Sequence, residues 1–391
     1  MEAMNRPRLF VPSQPTLWPH MTWASARPAH FPPFAGANVR HAYFARNLVW
    51  MAAKLFRLEG REILVPAYHH GVEIEALVAA GAQPRFYRVG SHWDVDVEDV
   101  ARKLGPQTGA LYLTHYAGFP GPVDALRRMA DEQGIPLIED CALSLLSSDG
   151  TRPLGTTGDA GVFCLYKTLP VPHGGSLVLN RDTSRALPEL EPPPAASTTS
   201  HLLSLLLLNL EFRGGSPGRW MRAAIRGMGH AAVDAAKVDR VATGTQHFEL
   251  EDVELGMAPL ALRVALAQDL EGIVERRRRN FFQLLGRLRD VGQPLFNELP
   301  AGVCPLFFPI RVQDKQGVIS RLRAVGVDAV DFWSDFHPAC AASDFPEVAA
   351  LRREIVEIPC HQDLEPDTVS RLAEEVRHAV RLGSERRARV G

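Results

Sequence analysis

The chain of 391 residues carries 43 basic and 45 acidic side chains, a formal net charge of −2. That balance excludes a broad electrostatic pull towards nucleic acid or an anionic membrane, and the length allows more than one domain. Five scattered cysteines (141, 164, 304, 340 and 360), never spaced C-x-x-C, argue against a disulfide framework or zinc site. They fit a reducing compartment, so the expected location is the cytoplasm.

No charged-then-apolar leader opens the sequence. Residues 1–35 are rich in Pro, Trp and Phe and lack periodicity, which predicts an extended arm lying on the body. A helix is expected over Leu48–Phe56. Short apolar runs then fall at Ile63–Ala67, Arg85–Val89, Leu111–Thr114, Pro136–Glu139, Val162–Tyr166 and Ser176–Leu179. Helical patterns at Val72–Ala80, Val97–Leu104 and Val123–Gln133 separate them. Strands alternating with helices predict a mainly parallel sheet with an α/β layout.

The alternation breaks at Pro188–Ser200, a stretch dense in Pro, Ala, Ser and Thr that reads as a linker. The apolar run from His201 to Leu210 follows, too short for the roughly 20 residues of a membrane span. From Arg219 to Met228, Arg219, Arg222 and Arg226 share one helical face, and Met221, Ile225 and Met228 share another. We expect that helix to lie on its own protein. A long helix is predicted from about Leu260, with the basic run from Arg276 to Arg279 on a solvated face. Beyond residue 300, an apolar run from Cys304 to Arg311, a helix at 315–325, the segment Val327–Val330, the run Ile355–Pro359 and a helix at 366–381 describe a smaller α+β domain.

Two strand ends carry chemistry. The run before Ala142 ends in a carboxylate, Asp140, and the run starting at Gly158 leads to an amine, Lys167, before the Gly174–Gly175 pair opens another strand. Ligands of open α/β sheets sit beyond the carboxyl ends of the strands. Asp140 and Lys167 are therefore expected to wall one pocket. An acid for a ring nitrogen and a lysine for a carbonyl carbon are what pyridoxal phosphate requires. Read singly, each residue is more simply a helix-capping aspartate or a surface lysine.

The motif order resembles that of the DegT/StrS-type aminotransferases, which aminate nucleotide-linked keto sugars. The resemblance is carried by ILVPAY from Ile63, AGAQP from Ala80, THYAG from Thr114, IEDCA from Ile138, GDAGVF from Gly158 and GGSLV from Gly174. Further on, the stretch from Glu254 to Gln268 with ERRRRN from Glu275 is similar to that family's long helix, and EIPCH from Glu357 to His361 resembles its closing element. The resemblance implies a fold type I large domain with a mainly parallel seven-stranded sheet and helices on both faces. The implied division is an arm (1–35), a large domain (36–255, with 188–250 divergent), and a long helix plus small C-terminal domain (256–391).

It further implies Lys167 as the catalytic lysine joined to pyridoxal phosphate and Asp140 as partner of the ring nitrogen. His70 falls where the family stacks an aromatic ring on the cofactor, Arg46 and Asn47 where it binds the phosphate, and Cys164 where it places a phosphate-contacting Ser. An amino-acid donor, a keto acceptor and a homodimer are implied too. Three features depart from the family pattern: the thiol of Cys164 is a weaker donor than a hydroxyl, Leu143 replaces a polar residue, and the loop between Tyr166 and Gly174 is short. His115 and His361 match the pattern without an evident chemical role and read as core or interface residues. Dehydration or acyl condensation on the same cofactor, or a degenerate homologue with a structural role, are the competing readings.

Overall fold

The computed structural model describes residues 8–27, 29–34, 38–181, 186–236 and 247–388, with the side chains of 226–236 and 384–388 left aside. The large sheet has seven strands: β1 (Val39–Ala42), β2 (Glu62–Pro66), β3 (Gln83–Tyr87), β4 (Thr108–Thr114), β5 (Leu137–Cys141), β6 (Ala160–Cys164) and β7 (Gly175–Leu179). They lie in the order β1-β7-β6-β5-β4-β2-β3. The pairs β2–β3, β2–β4, β4–β5 and β5–β6 are parallel, whereas β7 runs antiparallel to both β6 and β1. Every residue of β4, β5, β6 and β7 is buried, as expected of strands covered on both faces.

Helices α1 (Ala45–Leu55) and α2 (Val72–Ala79) pack on one another, with α1 also against β6 and β7. The pair α3 (Val97–Lys103) and α4 (Val123–Gln133) pack together beside β3, β4 and β5. Local chemistry sets these ends. Asp96 caps α3 by accepting from the Asp99 N–H at 2.9 Å, and Gly134 closes α4 in the left-handed region at φ 62°. Chain order along the sheet reverses about β2, so the carboxyl ends of β2, β4, β5 and β6 share one edge, with the start of α1 beside them.

Helix α5 spans Ala195–Ala236 and breaks at Gly215 (φ 59°, ψ −134°), just before Pro217. Its start shortens the predicted linker: residues 195–200 are helical. Their hydroxyls fold back onto the helix, Thr199 Oγ1 donating to the Ala195 carbonyl at 2.8 Å and Ser204 Oγ to that of Ser200 at 2.9 Å. The helix expected around Arg219–Met228 is present as the second part of α5. Arg219, Trp220 and Met221 are exposed, and Arg222 pairs with Glu211 of the same helix. The side chains of Arg226 and Met228 lie outside the described residues.

The predicted helix from 260 is two helices, α6 (Pro259–Leu266) and α7 (Leu270–Leu288). Asp269 separates them because its carboxylate accepts from the Gly272 N–H at 3.1 Å and starts the second. After α7 comes a small antiparallel sheet, in the order β10 (Val330–Asp331), β11 (Ile355–Pro359), β9 (Phe307–Arg311) and β8 (Gln293–Pro294). Helices α8 (Lys315–Ala324), α9 (Pro346–Glu354) and α10 (Pro366–Ala388) belong to this region, and α10 packs on α7 and α8. The N-terminal segment hydrogen-bonds along it: the Leu9 and Val11 N–H groups donate to the Val325 and Gly326 carbonyls at 2.8 and 2.9 Å. No helix among the described residues is long and apolar enough to cross a membrane.

Candidate active site

The cavity at the carboxyl edge of the large sheet has two adjoining lobes. The inner lobe, about 340 Å³, is walled by Arg46, His70, Asp140, Leu143, Cys164 and Lys167, among others. The outer, about 300 Å³, lies against the small sheet and shares His70, Leu143, Lys167 and Trp333 with the inner. Asp140 and Lys167 thus face one space. Parallel pairing makes this so: Asp140 lies opposite Val162 in the β5–β6 register, and β6 then turns at Cys164 into the loop that carries Lys167. Lys167 stands on that turn rather than on the strand.

Asp140 is buried, and its carboxylate accepts from the Ala142 N–H at 2.9 Å. Burial first, then the nearby Glu73 carboxylate, raise its pKa to about 6, against the opposing pull of that N–H and of Lys167. His70 is pushed down to about 4 by burial and by the cations of Lys167, Arg352 and Arg46, so its ring is neutral at pH 7. Its Nδ1 is buried and has no hydrogen-bond partner among the described residues. The imidazole does not cap α2. Glu73 does that work from below, accepting from the N–H groups of His70 at 2.8 Å and Gly71 at 3.1 Å.

Helix α1 starts at Ala45, so Arg46 and Asn47 stand within its first turn, not in the turn before it. The Arg46 guanidinium lies 3.9 Å from the centre of the Phe44 ring and lines the inner lobe. Asn47 does not line the cavity. Its carboxamide is buried and donates to the Asp252 carbonyl at 2.6 Å, leaving only its backbone N–H at the helix start. The helix start comes this close because Gly175 passes beneath it: a Cβ there would sit 2.5 Å from the Ala45 backbone. Burial raises the Cys164 thiol, with Tyr166 hydrogen-bonded beside it. The neutral thiol therefore brings no negative charge to this end of the cavity.

His115 and His361 sit in the core away from this space, as expected. His115 Nε2 lies 3.0 Å from buried Glu139, and its Nδ1 accepts from the Gly121 N–H at 2.9 Å. His361 Nε2 reaches the Pro12 carbonyl at 3.0 Å. The basic run is different. Arg277 is fully buried rather than solvated, and its guanidinium donates to Gln362 Oε1 at 2.8 Å and to the carbonyls of Leu306 and Thr168 at 2.8 and 3.3 Å. Arg352, on α9, likewise ties the His69 carbonyl (2.9 Å) to that of Trp333 (2.8 Å). Arg277 was expected on a solvated face and Arg352 carried no expectation, because nothing local distinguishes a buried guanidinium from a surface one. Gln14, Glu73 and Trp333 also line the cavity unannounced by any motif, and Glu357, the first residue of the closing motif, lines it without a role having been read for it.

These groups fit pyridoxal phosphate chemically. An ionised carboxylate suits a protonated ring nitrogen. An amine stands in reach of the same space, and the first-turn N–H groups of α1 with the Arg46 guanidinium beside them suit a phosphate dianion. The buried His70 Nδ1, with no partner among the described residues, leaves room for a ligand contact.

Residues 45–187 match the model of the DegT/DnrJ/EryC1/StrS aminotransferase family. The match stops where the divergent stretch begins, so it covers less of the chain than the motifs after residue 254 led us to expect. A GDP-perosamine synthase of Vibrio cholerae is 31% identical over 172 residues, 41% of this chain and 47% of that protein. The chain thus spans about half the length of that curated relative. Among solved structures, the aminotransferase TlmJ of Streptoalloteichus hindustanus superposes with a TM-score of 0.67 at 22% identity, covering 96% of this chain and 100% of that one. Helicobacter pylori PseC, an aminotransferase involved in pseudoaminic acid biosynthesis, gives 0.67 at 14% identity over 96% and 100%. The seven-stranded, mainly parallel sheet with its helices is the fold type I architecture.

Proposed function

We propose that this chain, which matches the DegT/DnrJ/EryC1/StrS aminotransferase family model through residues 45–187, is a member of that family and transfers an amino group from an amino-acid donor to a keto carbon of a small-molecule acceptor with pyridoxal phosphate. Sugar-nucleotide acceptors are the favoured class, given the perosamine synthase likeness. The observation that carries the reading is the convergence of Asp140, Lys167 and the α1 start on one cavity.

Bound pyridoxal phosphate supplies an electrophilic carbonyl carbon and an electron-withdrawing ring. Asp140, ionised above about pH 6, is proposed to hold the proton on the ring nitrogen. Lys167 Nζ is proposed to make the covalent attachment and to carry a proton to and from the substrate carbon. Arg46 and the first-turn N–H groups of α1, that of Asn47 included, would hold the phosphate, with Cys164 bordering it. His70 would lie against the ring as a neutral imidazole, and Leu143 and Trp333 exclude water from it.

Five free, buried cysteines support a reducing, cytoplasmic setting. Exposed Trp220 (78%) and Met221 (50%) on α5 support a homodimer, which light scattering would register as twice the chain mass. The function is tested by adding pyridoxal phosphate to purified protein. Visible absorbance should appear, fade with an amino donor and return with a keto acceptor. Protein that stays colourless would instead favour a structural role.

A further inference from the structure

Glu357 enters the cavity from the side opposite Asp140. It sits on β11, the strand flanked by β10 and β9, paired with Val330 and Pro309, and its side chain lines the outer lobe together with Lys167 and His70. No hydrogen bond of its carboxylate is formed within the described residues. Asp331, on the same wall, is by contrast neutralised by Lys315 at 2.6 Å. Among the described residues Lys167 is the single Lys or Arg lining that lobe, beside Asp331, Asp335 and Glu357.

A lobe with this lining offers an anionic group no cation beyond Lys167 and presents carboxyl oxygens to hydrogen-bond donors. Resting on the aminotransferase reading, we infer that Glu357 selects the acceptor. Its carboxyl group receives a hydroxyl or amino group of the acceptor ring, and any anionic part of that molecule lies outside the outer lobe. Burial pushes the Glu357 carboxyl up to about 8, with Lys167 and Arg277 pulling it back. The group is thus held desolvated, as a residue awaiting a ligand donor would be. A site built to hydrogen-bond a substrate hydroxyl discriminates strongly against ligands lacking it, because its own polar group is then left unpaired.

The test compares the full-length wild type with Glu357→Gln and Glu357→Leu. The probes are TDP-4-keto-6-deoxyglucose and scyllo-inosose, read by calorimetric binding and by return of cofactor absorbance. Glu357→Leu should weaken acceptor binding and raise its KM about 10- to 100-fold, with kcat and the donor's KM changing less than about threefold. Glu357→Gln, which keeps a hydrogen-bonding oxygen, should lose less. Equal acceptor affinity in all three proteins, or donor and acceptor weakened alike, would overturn the inference, as would a wild type that binds neither probe. Binding without turnover that still depends on Glu357 would sink the aminotransferase reading and leave this one standing.

Discussion

Gln362 Nε2 lies 2.9 Å from the carbonyl oxygen of Thr168, and Arg277 Nη2 donates to that same oxygen at 3.3 Å. Thr168 follows Lys167 directly, so the turn presenting the amine is held from outside its own strand. The anchors come from α7 and from the segment after β11. Placing the lysine is therefore a property of how the small sheet docks on the large one.

Arg277→Ala should expose that dependence. It strips donors from the Thr168, Pro305 and Leu306 carbonyls and from Gln362, all in a dry interior. We expect a stability loss of about 3 kcal/mol in urea unfolding, since buried acceptors left unpaired cost about 1–3 kcal/mol each before relaxation. Arg277→Lys, keeping the charge but not the fork, should fall between.

Lys167→Ala should abolish covalent attachment while leaving the fold intact. Borohydride reduction of wild type with pyridoxal phosphate, followed by peptide mass spectrometry, should label position 167. Label elsewhere, or none in folded protein, would remove Lys167 from the role.

Asp140→Asn separates stability from binding. The fold favours the protonated carboxyl, with a pKa of about 6 against the ordinary 3.8. Native protein therefore binds an extra proton between those values. The contribution of the group is full below about pH 4 and is lost as pH rises through about 6. Cofactor-free Asp140→Asn should accordingly gain on the wild type across that window, by an amount on the order of 2–3 kcal/mol in chemical denaturation. At pH 7.5 the same variant should bind pyridoxal phosphate about 10- to 100-fold more weakly, having lost a charge-assisted hydrogen bond.

Gly175→Ala tests the phosphate end. The new methyl would meet the Ala45 backbone at 2.5 Å, so α1 must shift. We expect about 1–3 kcal/mol of destabilisation and a lower affinity for inorganic phosphate, measured by calorimetry, than in the wild type.

Much of the two sheets and their helices was legible because they are built from local periodicities. The expected helix Val123–Gln133 and strand Ile355–Pro359 stand where the sequence placed them. Boundaries failed where side chains rewrote local rules. Asp269 cut the long helix in two, and hydroxyl groups extended α5 into the Pro- and Ser-rich stretch. Asn47 sat in a motif-like position yet turned its amide to Asp252.

The order of residue types along the chain was enough to mark Asp140 and Lys167, because a parallel sheet delivers successive strand ends to one edge whatever its details. The burial of Arg277, the underpinning by Glu73 and the reach of Glu357 across the cavity were decided by tertiary structure alone. Each depends on which distant backbone carbonyl, N–H or open space a long side chain meets. That information resides in the packing of two sheets, and no spacing within either one contains it.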